Sequence, residues 1–221
     1  MFTGIIQDLV KIEKITKTNS MLNDNTKDIS DKNRSNLELT INFKKFKKLK
    51  IGDSVALNGV CLTVAKLHKN LATFQLIDET IRKSSFSYVR QGDKVNMERS
   101  LKIGRRLEGH FVLGHVDCIG KITHIEKNIS GSLIQIEIMD NSILHLIASK
   151  GSITIDGVSL TVVKIIERNI EIALIPHTLE NTTLGIKQEG DYVNIEADML
   201  ARYISNIYQK TGNNKKNSNI Y

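Results

Sequence analysis

Apolar and polar residues alternate at period two over several short stretches: Leu37-Glu38-Leu39-Thr40-Ile41, Thr73-Phe74-Gln75-Leu76, Leu133-Ile134-Gln135-Ile136-Glu137-Ile138 and Val193-Asn194-Ile195-Glu196. That alternation predicts strands with one apolar and one polar face. Turn-formers punctuate them at Gly52-Asp53, Gly92-Asp93, Asn169 and Gly190-Asp191, a spacing suited to antiparallel barrels, whose closure removes exposed edges. Asn58-Gly59 and Asp156-Gly157 read either as type I′ hairpin turns or as glycines that let a ligand approach the backbone. The period changes near the end of the chain. Leu200, Tyr203, Ile204, Ile207 and Tyr208 follow helical spacing, which predicts an amphipathic helix over 197–209 that docks on its own barrel or packs against other subunits. Residues 210–221 are expected to form a disordered tail.

The strand pattern occurs twice. Residues 58–64 (NGVCLTV) recur as 156–162 (DGVSLTV), 92–98 (GDKVNME) recur as 190–196 (GDYVNIE), and 76–80 matches 174–178, each pair 98 positions apart. Upstream, 2–6 resembles 112–116 at an offset of 110, so the first copy carries 12 additional residues. The polar stretch 18–36, rich in Asn, Asp, Ser and Lys, is where turn-formers concentrate and is expected to be a surface loop. A period this long is a duplicated domain and not a solenoid unit. Two barrels follow, over 1–110 and 111–196.

Composition narrows the function. The 221 residues are 40% hydrophobic and 25% charged, with one Pro and no Trp, the profile of a globular chain. No run approaches the roughly 20 apolar residues that span a bilayer, and the first residues lack signal-peptide character, so a cytosolic protein is expected. Cys61 and Cys118 lack CxxC spacing, which suggests neither a disulfide framework nor a zinc site. The net charge of +7 invites a nucleic-acid reading through Lys44, Lys45, Lys47, Lys48 and Lys50, but Phe43, Phe46 and Leu49 interleave at helical spacing, as under a solvated lysine face. Aromatic residues at 5% supply no stacking ladder for single strands. Neither GxGxxG nor Walker A is present, and 157–161 (GVSLT) is not a GxSxG elbow. His110, His115 and Asp117 would lie on a strand, where positions five apart face opposite sides and share no metal. By itself Cys61, in an apolar strand, reads as a structural thiol.

Five co-linear segments carry a family resemblance: the opening Met1-Phe2-Thr3-Gly4-Ile5, 58–64, 109–117 (GHFVLGHVD), 156–162, and 175–180 (IPHTLE). Together they resemble the riboflavin synthases, which have two lumazine-binding repeats, over essentially the whole chain outside the insertion and tail. The resemblance implies an all-β fold of two tandem six-stranded Greek-key β-barrels related by internal duplication, plus a C-terminal α-helix that helps build a homotrimer. It implies dismutation of two 6,7-dimethyl-8-ribityllumazine molecules to riboflavin and 5-amino-6-ribitylamino-2,4-pyrimidinedione, with no metal or cofactor; composition has already set nucleic acid and membrane aside. Each barrel would hold one lumazine, and the N-terminal barrel of one subunit would face the C-terminal barrel of a neighbour. Lumazine synthase is the candidate protein partner. The rival reading is a non-catalytic lumazine or flavin carrier, like the fluorescent antenna relatives.

The same resemblance assigns the site. Gly4, Ile5, Ile6, Cys61, Leu62, Thr63, Gln75, Leu76, Ile77, Asp78, Glu79 and Thr80 would cradle the pterin of the first barrel. Gly114, His115, Val116, Ser159, Leu160, Thr161, Ala173, Leu174, Ile175, Pro176, His177 and Thr178 would do so in the second, with Lys150 reaching across a subunit boundary. Cys61, Ser159 and His115 are the catalytic candidates, because one lumazine must lose a proton from its 7-methyl group while the other is made electrophilic. The copies differ where such chemistry needs asymmetry: Cys61 against Ser159, Asn58 against Asp156, Ile5 against His115, Glu79 against His177, Gly52 against Lys150 and Ser100 against Asp198.

Overall fold

The computed structural model describes residues 1–19, 35–44 and 49–217. Six strands close the first barrel: β1 (Asp8–Asn19), β2 (Ser35–Asn42), β3 (Ser54–Leu57), β4 (Val60–His68), β5 (Leu71–Leu76) and β6 (Lys94–Arg99). Their order is β1-β2-β5-β4-β3-β6, with β6 returning to β1. The second barrel repeats that order with β7 (Cys118–Asn128), β8 (Gly131–Ile138), β9 (Ser152–Ile155), β10 (Val158–Ile166), β11 (Asn169–Leu174) and β12 (Tyr192–Ala197). Each barrel bends at matching register shifts, between Ile12 and Lys14 and between Val64 and Lys66 in the first, and at Ile122/His124 and Val162/Lys164 in the second. A bulge adds twist and lets a short sheet curl shut. The alternating apolar residues fill two separate cores, one around Leu39, Ile41, Phe74 and Met97, the other around Ile122, Ile134, Ile136 and Ile195.

Between β5 and β6 runs a short helix α1 (Asp78–Lys83), and between β11 and β12 its copy α2 (Pro176–Asn181). Helix α3 spans Met199–Asn217, so most of the expected tail is helical and continues past the predicted end at 209. Asn169 is not a turn residue. It is the first residue of β11, paired with Glu137, and the turn falls on Glu167 and Arg168, where Glu167 takes the left-handed φ of +54°. Of the expected loop 18–36, residues 18, 19, 35 and 36 are in strands and the rest lie outside the described residues, as does Phe46 with most of the lysine run.

Asn58-Gly59 and Asp156-Gly157 are hairpin turns, with positive φ at both positions of each. Their glycines do admit a close neighbour, but it is the other barrel's turn. A Cβ on Gly59 would lie 2.7 Å from the Gly157 nitrogen, and the reverse contact is the same. Around this point a reciprocal lock forms. The Asn96 amide donates to the Asp156 carbonyl (2.8 Å) and the Thr183 hydroxyl (2.9 Å), and its oxygen accepts from the Thr183 N–H (2.7 Å). Asn194 likewise donates to the Asn58 carbonyl (2.8 Å) and accepts from the Ser85 N–H (2.6 Å). Both asparagines are buried, where unmade hydrogen bonds are costly, so the lock fixes how the barrels meet.

The lock departs from symmetry in two places: the Thr183 hydroxyl accepts from Asn96 whereas its counterpart, the Ser85 hydroxyl, is buried without a partner among the described residues, and one charged pair occurs in the second copy alone. Fully buried Asp156 faces the Lys187 ammonium at 3.7 Å, where the first copy has Asn58 and Val89. Lys187→Val alone strips a buried carboxylate of its ion partner and is expected to cost roughly 3 kcal/mol. Adding Asp156→Asn reproduces the neutral pair of the first copy and should restore most of the loss. Urea midpoints of the two variants test this, and equal destabilisation in both would refute it.

Candidate functional site

Each copy begins with an extended arm that reaches the other barrel. The Gly4 carbonyl accepts from the Ser159 N–H (2.8 Å), and the Gly114 carbonyl accepts from the Cys61 N–H (2.9 Å). The arms also pair with each other, Phe2 and Val112 exchanging N–H···O bonds of 2.7 and 3.1 Å. Both contact glycines have φ of +78°, and a Cβ there would come within 2.5 Å of the Ser159 Cβ or 2.6 Å of the Cys61 Cβ. Only glycine lets each arm approach the strand it crosses so closely. Two buried carboxylates grip the arms from behind. Glu98 accepts from the Thr3 N–H (2.7 Å), the Thr3 hydroxyl (2.8 Å) and the Gly4 N–H (2.9 Å). Glu196 accepts from the Leu113 N–H (2.7 Å) and the Gly114 N–H (2.9 Å).

This arrangement corrects the expected grouping. Gly4, Ile5 and Ile6 belong with Ser159, and Ile6 packs on the second core; Gly114, His115 and Val116 belong with Cys61, and Val116 packs on the first. Repeat alignment matches each arm to its own copy and cannot reveal that the arms cross over. Nor is 110–117 a strand, since its one ladder contact is the bridge at Val112.

Strand alternation shapes the two outer surfaces. On β4 and β5, Cys61, Thr63 and Gln75 point outward while Leu62 and Leu76 are buried in the core. On β10 and β11, Ser159, Thr161 and Ala173 point outward, Leu174 is buried and Leu160 packs on the core. The expected contacts of Leu62, Leu76, Leu160 and Leu174 are therefore limited to their main chains. Ile77 and Ile175 lead into α1 and α2 and are each about 60% exposed, an unusual display for matched isoleucines. Asp78 and Glu79 pair with Arg82 and Lys83 of their own helix. The carbonyls of Thr80 and Thr178 accept from Ser84 and Thr182, and His177 contacts Asn181. Pro176 opens α2. Lys150 is exposed and holds φ of +63° where the first copy has Gly52; a lysine kept in that region is a local cost.

The polar groups behind the two surfaces differ. Ser159 Oγ lies 2.7 Å from His110 Nδ1, and His110 Nε2 lies 3.1 Å from the Thr154 hydroxyl. Burial lowers the imidazole's pKa, against an upward pull from Asp198, so His110 is neutral at pH 7. Cys61 faces Ala56 across the ladder where Ser159 faces Thr154. Burial pushes its thiol up, against the pull of the amino terminus and of Ser54, so it is a thiol and not a thiolate nucleophile. His115 is exposed beside this surface. His110, Thr154, Glu98 and Glu196 lie outside the set of expected site residues. The substitution of Ala56 by Thr154 and the repetition of Glu at 98 and 196 are the only signals that point to them. Among the described residues no cluster of His, Cys, Asp and Glu is arranged to hold a metal.

A family model, the lumazine binding domain, matches residues 3–100 and again 113–198. The chain is 38% identical over 221 residues to the riboflavin synthase of Bacillus subtilis, covering all of this chain and 95% of that one. It is 37% identical to the riboflavin synthase of Buchnera aphidicola, covering 92% of each. Among solved structures, LumP complexed with riboflavin superposes with a TM-score of 0.76 at 25% identity, over 89% of this chain and 99% of that one. LumP complexed with 6,7-dimethyl-8-(1'-D-ribityl) lumazine gives 0.74 at 25% identity with the same coverage.

The close arm contact predicts that Gly114→Ala destabilises the protein by more than about 1 kcal/mol, from positive φ and steric conflict together. Gly104 has φ of +89°, but a methyl group there would meet nothing within 4 Å, so Gly104→Ala should lose only the backbone part. Thermal melts of both variants decide it, and equal losses would show that the arm contact is loose.

Proposed function

The chain belongs to the riboflavin synthase family, and on that premise we propose that its two outer surfaces are half-sites, each holding one 6,7-dimethyl-8-ribityllumazine. The enzyme moves a four-carbon unit from one lumazine to the other, giving riboflavin and 5-amino-6-ribitylamino-2,4-pyrimidinedione. One observation carries the assignment: matched surfaces backed by unlike polar groups, Ser159–His110–Thr154 on one and Cys61 on the other. Two identical substrates must play opposite parts, so their sites need different chemistry.

In this reading the Ser159 half-site withdraws the 7-methyl proton. Neutral His110 accepts the Ser159 proton as the serine oxygen takes the one from the substrate, a relay of general-base type. The Cys61 thiol, held protonated, suits the partner lumazine, which must be polarised and not deprotonated. Backbone groups at Gly114–His115 and Gly4–Ile5, with Thr63 and Thr161, would read the uncharged pyrimidinedione edge. Ile77 and Ile175 would offer apolar faces to the rings, and Lys150 would act across the subunit boundary.

A homotrimer completes the proposal, bringing the first barrel of one subunit against the second barrel of the next. Its support is α3, which ties back through Arg202 and Asp117 and through Ala201 on the second core. Leu200, Tyr203, Ile204, Ile207 and Tyr208 nevertheless stay exposed, as an apolar stripe that another copy would cover. Two free cysteines accord with a reducing cytosol, and lumazine synthase remains the proposed partner.

Incubation with 6,7-dimethyl-8-ribityllumazine alone should yield both products in equal amounts, each at half the rate of lumazine loss and insensitive to chelator. Tight binding without product would make the protein a carrier. Ser159→Ala and His110→Ala should each slow turnover by about a hundredfold to ten-thousandfold, with the double variant no slower than the worse single one. Cys61→Ala and His115→Ala should cost no more than about four decades. Holding two reactants together is worth effective molarities of roughly 10⁵–10⁸ M, so Ile204→Asp with Ile207→Asp should abolish activity together with association. A fully active monomer would refute the shared-site arrangement.

A further inference from the structure

We infer that Glu98 and Glu196 are positioning residues that each serve the half-site of the opposite barrel. The inference rests on the reading of the outer surfaces as half-sites, but its geometry stands apart from any ligand. Glu196 belongs to β12 of the second barrel, yet the arm it grips at Leu113 and Gly114 lies on Cys61 of the first. Glu98 belongs to β6 of the first barrel, yet its arm lies on Ser159 of the second. Each carboxylate spends both oxygens on backbone N–H groups of an arm, so the arm's carbonyl is presented to the partner barrel at a fixed height. The 2.7–2.9 Å lengths are those of charge-assisted bonds.

The clasp at Glu196 is set by protonation. Burial pushes its pKa up to about 7, Asp117 adds to the rise, and the N–H groups of Leu113, Gly114 and His115 oppose it. The groups around it are Asp117, itself paired with Arg202 of α3, the Cys61 thiol on β4 and His115 on the arm. When protonated, one oxygen becomes a donor facing another donor, and a backbone bond is lost. The native pKa lies above the unfolded value, so folding stability from this group is full below about 4.5 and falls as pH rises through about 7. The grip has the opposite sign. Acidification should tighten the fold while loosening the first half-site.

Amide hydrogen exchange on the full chain tests this without ligand. Glu196→Gln should speed exchange at Cys61 by about tenfold or more, the loss of one charged hydrogen bond, and leave Ser159 unchanged. Glu98→Gln should do the reverse. In the wild type the Cys61-to-Ser159 exchange ratio should climb as pH falls from 8 to 6, and Glu196→Gln should flatten it. Should a Gln variant unfold, Glu196→Asp, which keeps the charge but shortens the reach, provides the second reading. Exchange rising equally at both sites, or at neither, would overturn the inference. A protein with the expected exchange pattern that does not consume lumazine would instead count against the proposed function and leave the clasp standing.

Discussion

The structure depends on burying the polar face of its last strand in each barrel. On β6 the residues Asn96 and Glu98, and on β12 their copies Asn194 and Glu196, point away from the barrel core and are still buried. Polar groups in that position must find partners, since an unpaired buried donor or acceptor costs its full desolvation. The asparagine side chains find theirs on the opposite barrel, at its turn and at the segment before its last strand, and the glutamates find theirs on arms that run to the opposite barrel. A polar seam of this kind does more than glue, because it is satisfied in only one relative placement of the domains.

From that placement the asymmetry of the site follows. Duplication supplies two copies of each outer surface, with the same strand register and the same glycine contact. The two surfaces are then distinguished by few substitutions behind them: Thr154 for Ala56 and Ser159 for Cys61, with His110 set against Ser159. One surface acquires a neutral imidazole on a hydroxyl, the other a thiol kept protonated by burial. On the proposed assignment, a shared scaffold would hold two like substrates while local polarity gave them different fates.

Much of this is legible in the sequence. Period-two alternation locates strands in both barrels, the 98-residue offset exposes the duplication, and Asn-Gly with Asp-Gly marks the hairpins. The same alternation conceals the seam, because Val95-Asn96-Met97-Glu98 reads as one apolar and one solvated face. Period two reports that faces differ and cannot say that the polar one is also covered. The arms stay hidden for a related reason. The family resemblance marks Gly4 and Gly114 as site glycines, but a repeat alignment carries no information on which barrel an arm crosses to. His110 lies inside a recognisable motif that gives it no role, since its partners Ser159 and Thr154 are 49 and 44 positions away in sequence.

Crossing arms also resolve why a duplicated protein would keep its halves on one chain. If each arm lay on its own barrel, the two domains could fold, bind and evolve independently, and the seam would need only shape complementarity. Because the arms are exchanged, neither surface is complete without the other copy, and the Phe2–Val112 bridge joins the arms at the centre. Ionised Glu196 is the costly part of that design. Its burial opposes the charge that the arm's N–H groups require, so stability is given up near neutral pH to hold a backbone carbonyl in place on the neighbouring barrel. Fold stability alone would favour a neutral side chain at that position, and a carboxylate in both copies is therefore better explained by what it holds than by what it contributes to folding.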